Sequence, residues 1–125
     1  MARFERSGVA EGPIVQGFAG DLFSVDGKVY SAVLLTPERA ESWDSPALEA
    51  LSIDALAPLL ALDPPPEFVI LGTGRTHRLP PRALAAALDE RDIGIEPMDS
   101  RAAARTWGLL RGEGRWIAAA IMPLR

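Results

Sequence analysis

The chain of 125 residues contains no cysteine and only one histidine, His77. Without cysteine it cannot form a disulfide framework, a thiolate metal site or a cysteine nucleophile. With a single histidine, any bound metal would need mostly oxygen ligands, and no acidic residues have motif-grade spacing for one. We therefore expect no metal and no cofactor. The lack of cysteine suits a reducing compartment, and we predict a cytoplasmic location.

The sequence also lacks long apolar runs and an excess of positive charge. Its longest apolar stretch, residues 116–124, is less than half of the roughly 20 residues that a membrane-spanning helix needs and is interrupted by Pro123. Residues 1–6 lack the apolar core of a signal peptide, so we expect no targeting segment and no membrane insertion. The net charge of −4 gives no overall attraction to nucleic acid, and no nucleic-acid partner is expected.

The amino-terminal third is rich in strand-forming residues. The runs 22–25 and 28–35 flank the dipeptide Asp26-Gly27. An Asp-Gly pair between two such runs predicts a β-hairpin, because both residues tolerate the positive φ angles of a tight turn. Residues 14–18 are expected to add another short strand.

A first helix is predicted in the region of residues 48–60. Six apolar residues recur there at helical intervals: Leu48, Leu51, Ile53, Leu56, Leu59 and Leu60. Pro58 lies inside this pattern. The helix therefore either starts late, with Asp54 as its cap, or is kinked at the proline.

From residue 67 onward the sequence predicts alternating strands and helices. The run 67–71 is apolar without alternation, as expected for a strand with both faces covered. Helices are predicted after Pro80 and Pro81 and after a cap at Asp99 or Ser100, with strands at 93–96 and 115–122. This order implies parallel strands joined by right-handed crossovers, while the hairpin adds antiparallel strands. We therefore predict a single α/β domain over residues 1–125, with a mixed sheet and about three helices.

The turn Gly72-Thr73-Gly74 follows the predicted buried strand, where open α/β sheets usually bind ligands. Strand, Gly-x-Gly and helix occur in the order of a dinucleotide fingerprint. However, His77 stands at the position of the third glycine and Pro80 precedes the helix. A P-loop is excluded because no Gly-Lys-Ser or Gly-Lys-Thr has the required spacing. A conventional nucleotide site is therefore not favoured over a structural turn.

The glycine turn and the basic loop after it have two interpretations. Exposed glycine amides and positive side chains could hold an anion such as a carboxylate or phosphate. Alternatively, the glycines permit positive φ and the arginines keep a surface loop solvated. The candidate ligand-binding residues are Gly72, Thr73, Gly74, Arg75, His77 and Arg78, with Arg82 as further charge. No acid–base partner is evident beside them, so we assign no catalytic residue.

Other residues that often carry chemistry have structural interpretations here. His77 is expected to be an exposed loop residue rather than a base, and no Gly-x-Ser-x-Gly elbow supports a serine nucleophile. Trp107 falls on the apolar stripe of the third helix and is predicted to lie in the core. Trp43 either covers the first helix or anchors a protein partner.

Several segments, in order along nearly the whole chain, resemble the Mth938-like domain family of uncharacterised α/β domains, which includes a mitochondrial complex I assembly factor and an adipogenesis-associated protein. The matching segments are Gly27 with the strand 30–35, Trp43, residues 67–74, residues 93–99, and residues 103–110 followed by Glu113-Gly114-Arg115 and an apolar strand. In this family an aromatic residue of the third helix is typically followed by asparagine. Here Gly108 follows Trp107, so no role of that asparagine is carried over.

The resemblance implies a three-layer fold with a mixed five-stranded sheet, in agreement with the prediction from the residues. It implies no established catalytic residues. The best-known member implies protein–protein assembly work, so our leading hypothesis is a non-catalytic binding or assembly module with a protein partner. The alternative hypothesis is a small protein or enzyme that binds an anionic ligand at the Gly72–Gly74 turn and the basic loop.

Overall fold

Residues 12–125 are described by a computed structural model, and they form two sheets and three α-helices. The strands are β1 (Val15–Ala19), β2 (Leu22–Val25), β3 (Lys28–Tyr30), β4 (Val33–Leu35), β5 (Ala40–Ser42), β6 (Phe68–Gly72), β7 (Gly94–Met98) and β8 (Ala118–Ile121). The helices are α1 (Ala57–Leu60), α2 (Arg82–Asp89) and α3 (Ser100–Gly112). One sheet is three-stranded, in the order β1-β2-β3, and the other five-stranded, in the order β5-β4-β8-β6-β7.

The five-stranded sheet is mixed, as predicted. Strand β6 runs parallel to β7 and to β8, whereas β4 runs antiparallel to β8 and to β5. The parallel strands are the ones that helices α2 and α3 separate along the chain. The predicted α/β class is therefore confirmed.

The predicted hairpin forms at Asp26 and Gly27. Their φ angles are 51° and 82°, and Val25 pairs with Lys28 across the two-residue turn. The prediction of one strand over residues 28–35 is wrong, because the chain leaves the small sheet after β3 and enters the mixed sheet at β4. All three residues of β4 are buried, whereas β3 is mostly exposed. The apolar half of the run, residues 33–35, is therefore stabilised by burial in the mixed sheet and not by the hairpin.

The predicted first helix is mostly not α-helical. Two 3-10 segments, Leu48–Ala50 and Ile53–Leu56, precede the single turn of α1. The helix starts late, as one alternative proposed, and Pro58 lies in its first turn, where a missing N–H is tolerated. Asp54 is not its cap, since the residue at that position is Leu56. The apolar spacing in this region therefore predicted burial correctly and the helix type wrongly.

The strands of the mixed sheet divide their side chains between two cores. Along β6, Val69 and Leu71 belong to one core and Ile70 to the other, and all three are fully buried. The first core is closed by α2 and residues 43–60, and the second by α3 and the small sheet. Both faces of β6 are thus covered, which explains why its sequence does not alternate. This arrangement confirms the predicted three layers.

Helix α3 begins and packs as the sequence predicts. The side chain of Asp99 accepts a hydrogen bond from the N–H of Ala102 at 2.9 Å, which makes it the N-terminal cap. Trp107 is fully buried in the second core, and its indole N–H donates to the Pro13 carbonyl at 2.8 Å. The helix therefore anchors the segment that precedes β1.

Trp43 covers the region of the predicted first helix, which was one of its two expected roles. Its side chain is buried in the first core. The indole N–H donates to the carbonyl of Ala55 at 3.2 Å, within the second 3-10 segment. Trp43 therefore presents little surface to a partner.

No helix within residues 12–125 is long and apolar enough to cross a membrane. The expectation that residues 1–6 contain no targeting signal concerns a segment outside the described residues.

The burial of Trp107 generates a stability prediction. Replacing Trp107 with alanine should lower the free energy of unfolding by about 3–5 kcal/mol, because it opens a large cavity in the second core. Leu109, two residues further along α3, is 66% exposed, and Leu109→Ala is the matched control, with an expected change within about 0.5 kcal/mol. Urea denaturation measures both values. Equal losses in the two variants would contradict the assignment of Trp107 to the core.

Candidate functional site

The turn after β6 is bonded from within the protein. The N–H of Thr73 donates to the Met98 carbonyl at 2.8 Å, and the N–H of Gly74 donates to the Ser100 hydroxyl, also at 2.8 Å. Gly72, Thr73 and Gly74 are all buried. The expectation that the glycine amides are exposed is therefore wrong, because both amides that follow Gly72 have found acceptors on neighbouring elements.

Gly72 is required for close packing. A Cβ atom at this position would lie 2.9 Å from Ser100 Oγ, 3.0 Å from Ile121 Cγ2 and 3.1 Å from Ala103 Cβ. These atoms belong to the first turns of α3 and to β8. The missing side chain thus allows α3 to approach the sheet.

Ser100 joins the glycine turn to two other segments. Its hydroxyl accepts from the N–H of Gly74 and donates to the Met122 carbonyl, and both distances are 2.8 Å. Its own N–H donates to the Gly74 carbonyl at 2.7 Å. Ser100 is fully buried. From the sequence it was a candidate helix cap only, and no local signal indicated that it would bond to residues 26 and 22 positions away.

The side chain of Thr73 organises the loop that follows. Its hydroxyl donates to the Thr76 carbonyl at 2.7 Å and accepts from the N–H of Arg78 at 3.0 Å. Residues 75–79 are exposed beyond this tie. The basic loop is thus anchored at its base while its side chains reach solvent.

A groove of about 240 Å³ opens beside Thr73 and Gly74. Its other walls come from residues 45–49, Arg78, Met122, Pro123 and Arg125. A second recess of about 290 Å³ shares Leu48, Glu49 and Arg78 with it and is completed by residues 79–81. We call these two adjoining recesses the Arg78 groove.

An ion pair crosses the Arg78 groove. The Arg78 guanidinium donates to the carboxylate of Glu49. The pKa of Glu49 lies below its ordinary value. The largest cause is a hydrogen bond from its own backbone, and the hydrogen bond and positive charge of Arg78 act in the same direction. Glu49 therefore keeps its negative charge at lower pH than an ordinary glutamate. Because both side chains are exposed, this pair contributes little to stability and can open.

Arg75 lies elsewhere. It lines a separate recess of about 290 Å³ together with Asp21, Arg101 and Leu124. His77 is exposed and lines neither this recess nor the Arg78 groove. The six predicted ligand-binding residues therefore do not converge on one site.

Within residues 12–125, no three acidic or histidine side chains are grouped in a way that could hold a metal ion. The chemistry available at this end of the sheet consists of guanidinium groups, one imidazole and a few carboxylates. Such groups recognise anions and hydrogen-bonding partners.

The fold is that of a small α/β domain with a mixed sheet. The chain belongs to the DUF498/DUF598 family of proteins of unknown function, whose sequence profile matches residues 15–122. A Bordetella pertussis protein described as a Mth938-like domain has the same fold, with a TM-score of 0.76 and 24% identity over 99% of this chain and 92% of that one. The resemblance to Mth938-like domains is thus confirmed.

Two further relatives extend the comparison. A Bordetella parapertussis crystal structure gives a TM-score of 0.81 at 28% identity and covers 90% of this chain and 97% of that one. The curated protein named NADH dehydrogenase (ubiquinone) 1 alpha subcomplex assembly factor 3, from Bos taurus, is 31% identical over 111 residues, which make up 87% of this chain. The match covers 60% of that relative's length.

The bonds of Ser100 generate a second prediction. Ser100→Ala should lower the free energy of unfolding by about 1–3 kcal/mol, because it leaves the Gly74 N–H without its buried acceptor. Ser52→Ala is the control, since Ser52 is exposed and makes no capping bond through its side chain. Urea denaturation measures the loss, and amide exchange of Gly74 should quicken only in Ser100→Ala. Unchanged exchange at Gly74 would show that this bond does not hold the turn.

Proposed function

We propose that this protein is a non-catalytic binding module that works with a protein partner in assembling a larger complex. The observation that carries this proposal is its similarity, over 87% of the chain, to a protein named as an assembly factor. We also propose that the chain acts as a single domain, since the family profile spans residues 15–122, and that it acts in the cytoplasm, because it has no cysteine.

The Arg78 groove is the surface that we propose for the partner. Leu79 at its rim is 74% exposed, the highest value among the large apolar side chains in residues 12–125. Pro46, Pro80 and Pro81 also line the groove. Prolines restrict the backbone before binding, so less conformational entropy is lost when a partner docks. An exposed apolar side chain in a stiff groove is a suitable anchor point for a protein segment.

Local charge indicates the chemistry of the partner. Residues 72–88 contain three arginines and one histidine but no acidic residue, although the whole chain has a net charge of −4. Among the described residues, Glu49 is the one carboxylate side chain that lines the groove. A partner segment that carries an apolar side chain flanked by acidic residues would match both the apolar rim and the positive loop.

Two exposed leucines provide the test. Affinity purification of the full chain from its own organism should recover one stable protein partner in constant proportion. Leu79→Asp should abolish recovery, because it places a carboxylate where the apolar anchor and acidic partner meet. Leu109→Asp introduces the same charge at another highly exposed leucine, on α3, and should leave recovery unchanged. Absence of any partner would refute the assembly role, and recovery by both variants would refute this surface.

A second candidate is binding of a small anionic ligand in the Arg78 groove. The observation in its favour is that Arg78 lines a recess of about 240 Å³ bordered by Thr73 and Gly74. An anionic group would replace Glu49 as the partner of Arg78. Since the Thr73 and Gly74 amides are already bonded, the guanidinium would supply the recognition.

A thermal-shift panel of phosphate, nucleotides and small carboxylates tests this ligand proposal. A true ligand at a hundred times its dissociation constant should add about 2.7 kcal/mol, or on the order of 10 °C for a domain of this size. The shift should disappear in Arg78→Gln and persist in Arg39→Gln, a control that breaks another exposed ion pair, with Glu41. Melting temperatures that no compound changes would rule out the candidate.

A further inference from the structure

We infer that Arg75 and Arg101 together form a binding site for a small oxyanion, a phosphate or a carboxylate group, in the recess that they share with Asp21 and Leu124. Within the described part of the chain, this site shares no lining residue with the Arg78 groove. The inference is therefore independent of both proposals for that groove.

The backbone brings the two arginines together. Gly74 and Ser100 are held by two mutual hydrogen bonds, one from the Gly74 N–H to the Ser100 hydroxyl and one from the Ser100 N–H to the Gly74 carbonyl. Arg75 and Arg101 are the residues that follow each member of this pair. Their positions are thus set by a buried junction rather than by a free loop, although their side chains reach solvent.

The guanidinium of Arg101 is also oriented by an aromatic ring. Its central carbon lies 4.6 Å from the centroid of the Phe18 ring, and Phe18 in turn packs edge-on against the buried Phe23. Cation–π stacking leaves the planar N–H edge of an arginine available to an oxyanion. Arg101 is therefore partly ordered before any ligand arrives.

The charge of the two arginines is incompletely balanced. The ion pairs found within residues 12–125 involve Arg39, Arg78 and Arg115, and none involves Arg75 or Arg101. Asp21 lines the same recess without pairing with either arginine. Among residues 12–125, two guanidinium groups and one carboxylate line the recess, which gives this part of its wall a net positive charge. An oxyanion placed between the guanidinium groups would reduce their mutual repulsion.

The size of the recess suits a small ligand. The recess has a volume of about 290 Å³. A water molecule takes up roughly 30 Å³ in the liquid, so the recess has room for a phosphate or carboxylate group and a few waters. Asp21 would oppose a bare anion but would accept a hydrogen bond from a hydroxyl or ammonium group next to it. The site thus favours an oxyanion that carries such a donor.

An NMR titration of the full chain, labelled with nitrogen-15, tests this inference with inorganic phosphate and with acetate, each compared with sodium chloride at equal ionic strength. Saturable shifts are expected at the amides of residues 75 and 101. The stronger of the two probes identifies the preferred oxyanion.

Arg75→Gln and Arg101→Gln should each weaken binding at least tenfold. Arg105→Gln, one turn further along α3, is the matched control and should not change it. Asp21→Asn should tighten binding, because it removes a negative charge from the recess.

Arg101→Lys keeps the positive charge and should retain part of the affinity, which separates loss of charge from loss of the Phe18 contact. Shifts that grow linearly with either probe, as they would with chloride, would overturn the inference. Loss of binding in Arg78→Gln alone would also overturn it, because the anion would then occupy the Arg78 groove. A weakening by Arg105→Gln as large as that by Arg75→Gln would show only diffuse attraction to a basic surface.

Discussion

The hydroxyl of Ser100 connects three segments that are far apart in the sequence: the turn after β6, the start of α3 and the residue after β8. Because Ser100 is fully buried, water cannot replace its hydroxyl as a hydrogen-bond partner. Each polar group that it bonds would otherwise stay unsatisfied, at a cost of about 1–3 kcal/mol. Gly72 provides the space for this junction. The Arg78 groove and the Arg75–Arg101 recess both border this junction, so their geometry depends on it.

The same close approach explains the composition of the central strands. Strand β8 is built largely of alanine, and Ala119 packs in the same core as Ala103 and Trp107 of α3. Small residues at the sheet surface leave room for the large indole ring. On the opposite face the leucines of residues 48–60 cover the sheet from two 3-10 segments, the residues beside them and the single turn of α1. Burial requires apolar side chains at suitable positions but no long α-helix.

The internal hydrogen bonds also decide which chemistry this end of the sheet offers. In phosphate-binding glycine loops the backbone N–H groups face the ligand. Here the amides of Thr73 and Gly74 are bonded to Met98 and Ser100, so the binding that we propose relies on arginine side chains. Those arginines lie in two separate recesses. We propose a protein segment at one and a small oxyanion at the other, and the two proposed ligands would bind independently because the recesses share no described lining residue.

The sequence by itself determined the features that depend on near neighbours: the Asp26-Gly27 turn, the cap at Asp99 and the start of α2 after Pro81. Hydrophobic pattern also predicted the buried strand β6 and the burial of Trp107. Only the tertiary structure decided that β4 leaves the hairpin for the mixed sheet and that the Gly74 amide is already bonded to Ser100. It also decided that Arg75 and Arg101 line one recess, apart from the Arg78 groove. The physical reason is that a buried hydrogen bond or a strand pairing forms between residues that are far apart in the sequence. Local propensity does not depend on those distant partners.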